Sequence, residues 1–325
     1  MELLTLSADD VRTALPMPKA IEAAEVAFVA QALGQGVTPQ RSQLSVAPVG
    51  GTSLVMPGYL PGAGLATKIV SFFPGNPDRG LAATSGLVVL LDEQTGAPSA
   101  LIDGTFLTAW RTGAAGGVAA KWLSHPEARV AAMLGAGAQA RTQLMAMDTV
   151  RPLEVVRVWS RDGQSARALA ESLQPELNAR IEVAATVAAA LDGAQLVCSA
   201  TPATEPLFSA DMLQRGAHLT SVGSFQPQMV EVDPALAGCA RVVVDDRQAA
   251  LEEAGELIQA TAQGLTDPAD WVLLGDVVRG EVPGRRDDQE VTWFKSVGLA
   301  VQDVAAGGAV LAQARLLGLG KRISF

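Results

Sequence analysis

The amino-acid sequence predicts an α/β protein in which a doubly wound parallel sheet is inserted in a discontinuous α+β domain. Three observations carry this expectation. Strand-like and helix-like runs alternate between residues 129 and 245, the order that gives parallel strands joined by right-handed crossovers. The first of those strands ends in a glycine turn, VAAMLGAGAQAR at 130–141. A C-terminal helix made of small residues on every face needs cover on more than one side, and the α+β region at the start of the chain is the available cover.

Taken in order, Ser7 and Asp10 make a capping-box-like start for a short helix. Pro18 opens an alanine-rich amphipathic helix that runs to Leu33, where Gly34 and Gly36 stop it. Strands are expected at 41–47, 53–60, 64–73, 85–92 and 98–103, the last two joined by the turn-forming DEQTG. Residues 105–128 form a helix whose Gly113, Gly116 and Gly117 cost helix propensity, so their presence implies close packing against another element. Strands then follow at 129–134, 155–159, 181–184, 195–200, 217–222 and 241–244, with helices at 138–148, 163–173, 186–192 and 209–214. Residues 246–290 read as polar and turn-rich, and the chain closes with a short strand and the small-residue helix. The expected domain limits are 1–114 plus 291–325 for the flanking domain and 115–290 for the parallel-sheet domain.

Composition narrows the function. The 325 residues are 49% hydrophobic and carry a formal net charge of −10 with a pI near 4.8. No basic cluster interrupts that charge, which argues against nucleic acid as a partner. The N-terminus MELLTLSADDVR does not read as a signal peptide, and no apolar run reaches membrane-spanning length. A cytoplasmic protein is expected, with no membrane partner. Cys198 and Cys239 have no CxxC neighbour, and His125 and His218 have no metal-ligand spacing, so no metal is expected.

The glycine turn is the strand-to-helix junction at which a Rossmann-type domain receives a dinucleotide pyrophosphate. Gly135 permits the tight turn, Gly137 permits close backbone approach, and the helix that follows aims its positive end at the anion. Ala140 stands where a third glycine is usual. The second strand of the unit ends VWSRD, with Ser160 and Arg161 where a ribose partner belongs. A guanidinium and a hydroxyl suit a 2′-phosphate, which favours NADPH over NADH, NADH remaining possible. Asp162 comes one residue late and reads as the cap of the next helix.

Three cations lack local partners. Lys68 interrupts the apolar strand GLATKIVSFF on the face of Val70 and Phe72. It is either a snorkelling edge lysine, or a desolvated one held for a carboxylate. Arg111 has leucine and alanine at the positions four residues either side, and Arg41 precedes an alternating apolar strand with no acid beside it. Converging, the three would clamp a carboxylate.

Beyond these residues, the chain resembles the ornithine cyclodeaminase/mu-crystallin family along nearly its whole length. The matching segments are TPQR at 38–41, MPGYL at 56–60, TKIVSFFPGN at 67–76, VLLDEQTGAP at 89–98, LTAWRTGAAGG at 107–117, LGAGAQA at 134–140, SATPATEP at 199–206, SVGSFQPQMVEVD at 221–233 and FKSVGLAVQD at 294–303. The resemblance implies a homodimer, and a Rossmann domain holding NAD(P)H with its nicotinamide facing a small amino or imino acid. It implies that Arg41, Lys68 and Arg111 grip the substrate carboxylate and that Met56 lines the pocket. Coenzyme contacts are implied at Ala136, Gln139, Ser160, Arg161, Thr201 and Val222, beside Gly135, Gly137 and Gly223 of the two loops. Members that cyclise ornithine carry an aspartate in the loop after the fifth strand. Here that loop is Gly223-Ser224-Phe225-Gln226-Pro227, and phenylalanine supplies neither base nor ammonium anchor.

The loop is similar to that of reductases of cyclic ketimines, with Phe225 a wall for the ring. Their substrates are Δ1-pyrroline-2-carboxylate and Δ1-piperideine-2-carboxylate, reduced to L-proline and L-pipecolate. Lys68 is then an electrostatic partner or the proton source, and Thr84 is either a second candidate for relaying the proton or a strand-start threonine satisfied by backbone. The alternatives are an ornithine or lysine cyclodeaminase, an alanine-type amino-acid dehydrogenase, and a non-catalytic NADPH-dependent ligand binder.

Overall fold

The computed structural model describes residues 2–324, which divide into two units. One is the stretch up to Arg111 together with the stretch from Leu299 onward, the other Thr112–Gly298. The first contains β1 (Glu2–Leu6), α1 (Ala8–Ala14), α2 (Met17–Ala32), β2 (Ser42–Val46), β3 (Gly51–Leu60), β4 (Gly64–Phe72), β5 (Thr84–Leu91) and β6 (Pro98–Asp103). Helix α3 (Gly104–Leu123) carries the chain into the second unit. There follow β7 (Val130–Leu134), α4 (Ala138–Val150), β8 (Val155–Trp159), α5 (Gln164–Leu173), β9 (Arg180–Val183), α6 (Val187–Leu191), β10 (Leu196–Ser199), β11 (His218–Ser221) and β12 (Arg241–Val244). Next come α7 (Arg247–Glu253), α8 (Gly255–Ala262), β13 (Val272–Leu273), α9 (Leu274–Val278) and β14 (Thr292–Lys295). The chain returns to the first unit through α10 (Ala300–Leu317) and β15 (Lys321–Ser324).

In the first unit, seven strands form one sheet in the order β15-β1-β6-β5-β4-β3-β2, antiparallel except for the β1–β6 pair. The pleat separates two rows of directly opposed residues. Met56, Lys68, Val88 and Ile102 are in register on a buried face, while Val55, Ile69 and Leu87 form an exposed row on the other. Helix α10 lies on the buried face, and its composition follows from that contact. A Cβ on Gly58 would come 2.9 Å from the Ala300 Cβ, and one on Gly307 would come 3.1 Å from Leu90. The capping box at Ser7 and Asp10 forms as expected, with the Asp10 carboxylate accepting from the Ser7 amide at 2.9 Å.

In the second unit, eight parallel strands run in the order β13-β12-β14-β11-β10-β7-β8-β9. Consecutive residues feed opposite layers, as burial on both faces requires. Met133, Leu196 and Cys198 join one apolar cluster, Leu134 and Val197 the other. The glycines of α3 take the close packing their cost implied. A Cβ on Gly113 would come 2.6 Å from Thr142 of α4, and Gln143 Nε2 donates to the Thr112 carbonyl at 2.9 Å.

Four sequence expectations are corrected. Strand Thr292–Lys295, assigned by sequence to the flanking domain from residue 291, pairs between β11 and β12, because all four of its residues are buried at the middle of the parallel sheet. The helix expected at 209–214 is one short turn, Ala210–Met212. Residues 246–290 contain three helices. The first is capped by Asp246, which accepts from the Ala249 amide at 2.9 Å, and the apolar residues Leu257, Ala260, Leu274 and Val277 of the other two are buried. Strands β1 and β15 were not expected, since each depends on a partner at the opposite end of the chain.

Candidate active site

Lys68 sits on β4, between β3 and β5, so it is not an edge lysine. Strand alternation turns it inward, and it is only 1% exposed. A buried ammonium needs a partner, and α10 supplies one. Asp303, in the first turn of that helix, places Oδ2 2.7 Å from Lys68 Nζ and Oδ1 3.0 Å from Arg111 Nε. Arg111 Nη1 also donates to Gln302 Oε1 at 2.6 Å. The sequence reading of Arg111 as unpaired is therefore corrected. Its partners lie far along the chain, where local spacing does not look.

The charges do not balance. Lys68 and Arg111 share a single buried carboxylate, and this leaves room for one more anion. Burial pushes the Lys68 pKa down to about 7, and the charges of Arg111 and, less strongly, Arg41 push the same way against the pull of Asp303. Burial would raise the Asp303 pKa, but Arg111 and Lys68 hold it below the ordinary carboxylate value. Gln302 Nε2 is buried and has no hydrogen-bond partner among the described residues. The structure thus gathers Lys68, Arg111 and, opposite Lys68 on β3, Met56, with Arg41 within electrostatic reach. Thr84 is not brought to this cluster: it is exposed at the start of β5, opposite Phe72. Lys68 faces Val88, four residues further along, which is about 13 Å of extended chain.

In the second unit the strand order reverses between β7 and β10, the switch point at which open parallel sheets take dinucleotides. Gly135 has φ +109°, and a Cβ there would lie 2.5 Å from the Ala200 carbonyl oxygen. Gly137, the N-cap of α4, has no side-chain cap and nothing within 4 Å of where its Cβ would stand. Ala136 and Gln139 are half-buried beside it, and Gln139 Oε1 is a buried acceptor without a partner among the described residues. An open backbone cradle at a helix N-terminus fits a pyrophosphate. At the end of β8, Arg161 is exposed. Ser160 is engaged: its hydroxyl donates to Asp162 at 2.9 Å and accepts from the Ala166 amide at 3.0 Å. Asp162 accepts from the Ser165 amide at 3.0 Å, the capping role expected of it.

Thr201, Val222, Gly223 and Phe225 follow β10 and β11 at their carboxyl ends. Phe225 is half-buried. Beneath them lies a network that sequence reasoning missed. Glu231, fully buried, accepts through Oε1 from Ser199 Oγ at 2.6 Å, Thr201 N at 2.6 Å and Thr201 Oγ1 at 2.9 Å. Through Oε2 it accepts from Gly223 N at 2.6 Å and Ser224 N at 3.1 Å. Ser224 Oγ donates in turn to Glu256 at 2.6 Å, and Lys295 Nζ donates to the Ser224 carbonyl at 2.7 Å. Asp303, the one acid in helix α10, stands out in the sequence by the same reasoning that singled out Lys68. Glu231 carried a fainter mark, standing between Val230 and Val232 in a stretch with no strand or helix period. Among the described residues no group of histidine, cysteine and carboxylates could hold a metal, and no helix is long and apolar enough to cross a membrane.

The chain matches the ornithine cyclodeaminase/mu-crystallin family model over residues 1–315. It is 37% identical over 326 residues to the Δ1-pyrroline-2-carboxylate reductase of Bacillus cereus, covering 99% of this chain and 100% of that protein. The structure of Thermococcus litoralis Δ1-pyrroline-2-carboxylate reductase in complex with NADH and L-proline superposes with a TM-score of 0.95 at 35% identity, covering 99% of this chain and 100% of that one. An archaeal alanine dehydrogenase dimer with bound NAD gives a TM-score of 0.91 at 32% identity over the whole of both chains.

Proposed function

We propose that this chain, which belongs to the ornithine cyclodeaminase/mu-crystallin family, is an oxidoreductase that reduces a small cyclic ketimine acid with NADPH. The substrates that fit are Δ1-pyrroline-2-carboxylate and Δ1-piperideine-2-carboxylate, giving L-proline and L-pipecolate. The observation that carries the reading is the buried Lys68–Asp303–Arg111 cluster, in which two cations share one carboxylate. A substrate carboxylate completes the balance. Arg111 and Arg41 take that carboxylate, and Met56 and Phe225 take the ring methylenes.

The reaction needs a hydride on the imine carbon and a proton on the nitrogen. The dihydronicotinamide supplies the hydride when bound, and the coenzyme leaves oxidised. The proton is assigned to Lys68. In the free enzyme its pKa of about 7 leaves it partly deprotonated. An added negative charge beside it raises that pKa, so the substrate's own carboxylate loads the proton donor. Thr84 is a relay only if it moves, and the direct route from Lys68 is preferred. The loop from Gly223 to Pro227 supports reduction over cyclodeamination, because Phe225 offers no carboxylate to a δ-amine.

The coenzyme's pyrophosphate is assigned to Gly135, Ala136 and Gly137, and the 2′-phosphate of NADPH to Arg161. Ser160 is a lesser contact than the sequence suggested, since its hydroxyl proton already goes to Asp162. The exposed row Val55–Ile69–Leu87 supports a homodimer, a second copy burying an apolar strip that water otherwise wets. Both cysteines are free thiols, in keeping with a reducing cytoplasm.

The test is a substrate panel. Purified protein should consume NADPH absorbance with Δ1-pyrroline-2-carboxylate or Δ1-piperideine-2-carboxylate and yield the L-amino acid on chiral analysis. Turnover of pyruvate with ammonia, or ammonia release from ornithine, in place of imine reduction would reject the reading. Tight coenzyme binding with no turnover of either imine would leave a ligand binder.

A further inference from the structure

We infer that Glu231 is a positioning residue for the nicotinamide half of the coenzyme: its buried carboxylate clasps the loops after β10 and β11 to each other. The inference rests on the coenzyme assignment above. Its own support is the geometry of one side chain. Five donors converge on two oxygens, and they come from two separate loops. Ser199 and Thr201 are held through Oε1, Gly223 and Ser224 through Oε2. No other group could bridge that gap, because a carboxylate alone offers acceptor capacity at both ends and no proton of its own.

The packing around the clasp leaves it no slack. A Cβ on Gly223 would come 2.5 Å from the Glu231 carboxyl carbon and would also strike the Thr201 backbone. On its other side the same loop backs onto the dinucleotide turn, where Gly135 admits no Cβ against Ala200. A continuous line therefore runs from the pyrophosphate turn through Ala200 and Thr201 to Glu231, Gly223 and Ser224. Glu256 and Lys295 fix the far end, both fully buried and 3.5 Å apart, with Ser224 hydrogen-bonded to each and the Glu231 amide donating to Glu256 at 3.1 Å. The amides of Thr201, Gly223 and Ser224 are all satisfied by this network, and such a network rigidifies what it holds.

The carboxylate touches neither turn glycine of the phosphate cradle, so it divides the coenzyme's affinity in two. The adenosine and pyrophosphate half depends on Gly135, Gly137 and Arg161. With the pyrophosphate at the end of β7 and the 2′-phosphate beyond β8, the nicotinamide half runs to the other side of the switch point, over the ends of β10 and β11. It therefore depends on the loops that Glu231 keeps in place. Glu231→Gln is nearly isosteric, yet it sets an NH2 against either the Gly223 and Ser224 amides or the Ser199 and Thr201 donors, and one loop is released.

The experiment compares binding of NADPH and NADH with binding of their ADP-ribose fragments, by calorimetry, in the wild type and Glu231→Gln. The fragment should bind both proteins within about twofold. The preference for whole coenzyme over fragment should be about tenfold or more in the wild type and fall to about twofold in the variant. Single-turnover hydride transfer should fall about a hundredfold, well beyond the roughly fivefold loss of coenzyme affinity. Glu231→Asp, which keeps the charge but shortens the reach, should restore part of the preference. Retention of the full preference in Glu231→Gln would overturn the clasp, as would equal weakening of coenzyme and fragment, the mark of a merely structural role. A wild type that binds fragment but shows no preference for coenzyme overturns it also. A wild type that binds neither brings down the coenzyme assignment itself.

Discussion

The two polar clusters of this molecule are built oppositely. In the first unit, two basic side chains surround one carboxylate, and full protonation of the lysine would leave one buried positive charge over. In the second, two buried carboxylates share one lysine, and most of their partners are backbone amides and hydroxyls of the loops they hold. The first arrangement is incomplete without an anion and is suited to binding and proton transfer. The second is nearly satisfied internally and is suited to holding loops still. Burial alone does not tell the two apart. What does is whether the donors and acceptors are balanced before any ligand arrives.

That contrast breaks first at Asp303. Replacing it with alanine leaves Arg111 buried without its carboxylate, beside Lys68. Denaturant unfolding should show a loss of about 3–5 kcal/mol, with little imine turnover remaining. A stability equal to the wild type would mean that the cluster is not buried as described. Lys68→Met is gentler on the fold, because Asp303 keeps Arg111. Its turnover should drop about 100- to 10,000-fold while coenzyme affinity, measured by fluorescence titration, stays the same. Coenzyme affinity falling with turnover would undo the division of labour between the units.

A smaller effect sharpens the second unit's side. Arg161→Ala should weaken NADPH by about 1.5–3 kcal/mol and leave NADH unchanged. An equal effect on both coenzymes would remove the 2′-phosphate assignment. Smaller again is a stability effect of pH. Between about 7 and 10.5 the unfolded chain still binds the proton that folded Lys68 has lost, so stability should rise with pH through that window. Lys68→Met should lack that rise. Wild-type stability that falls as pH increases, relative to the variant, would mean that the lysine is charged in the free protein.

The parallel sheet was legible because each of its elements announces itself locally. VAAMLGAGAQAR shows strand, turn and helix in one stretch, and Asp162 shows its cap. The antiparallel strands from 42 to 103 were equally plain from alternation and the DEQTG turn. What local pattern could not supply was any partner from far along the chain. Strand β1 depends on β15, and strand β14 was placed in the wrong domain because a short apolar run does not say which sheet it joins. The same holds at the site. Lys68 and Arg111 were conspicuous as charges without neighbours, and the acid they needed lay nearly two hundred residues from Arg111. Glu231 escaped notice because a glutamate between two valines in an irregular segment gives no period from which its side can be read. The three helices after residue 246 were hidden by the polar residues around them, of which Asp246 is the cap of the first.

The measurement that bears most directly on the first unit's unbalanced charge is the pH dependence of imine reduction under kcat and under kcat/KM conditions. If the substrate carboxylate loads Lys68, kcat/KM should decline above a pH of about 7, the free enzyme's value, while the decline in kcat is displaced to higher pH. Declines that coincide, or a profile that Lys68→Met leaves unmoved, would contradict it.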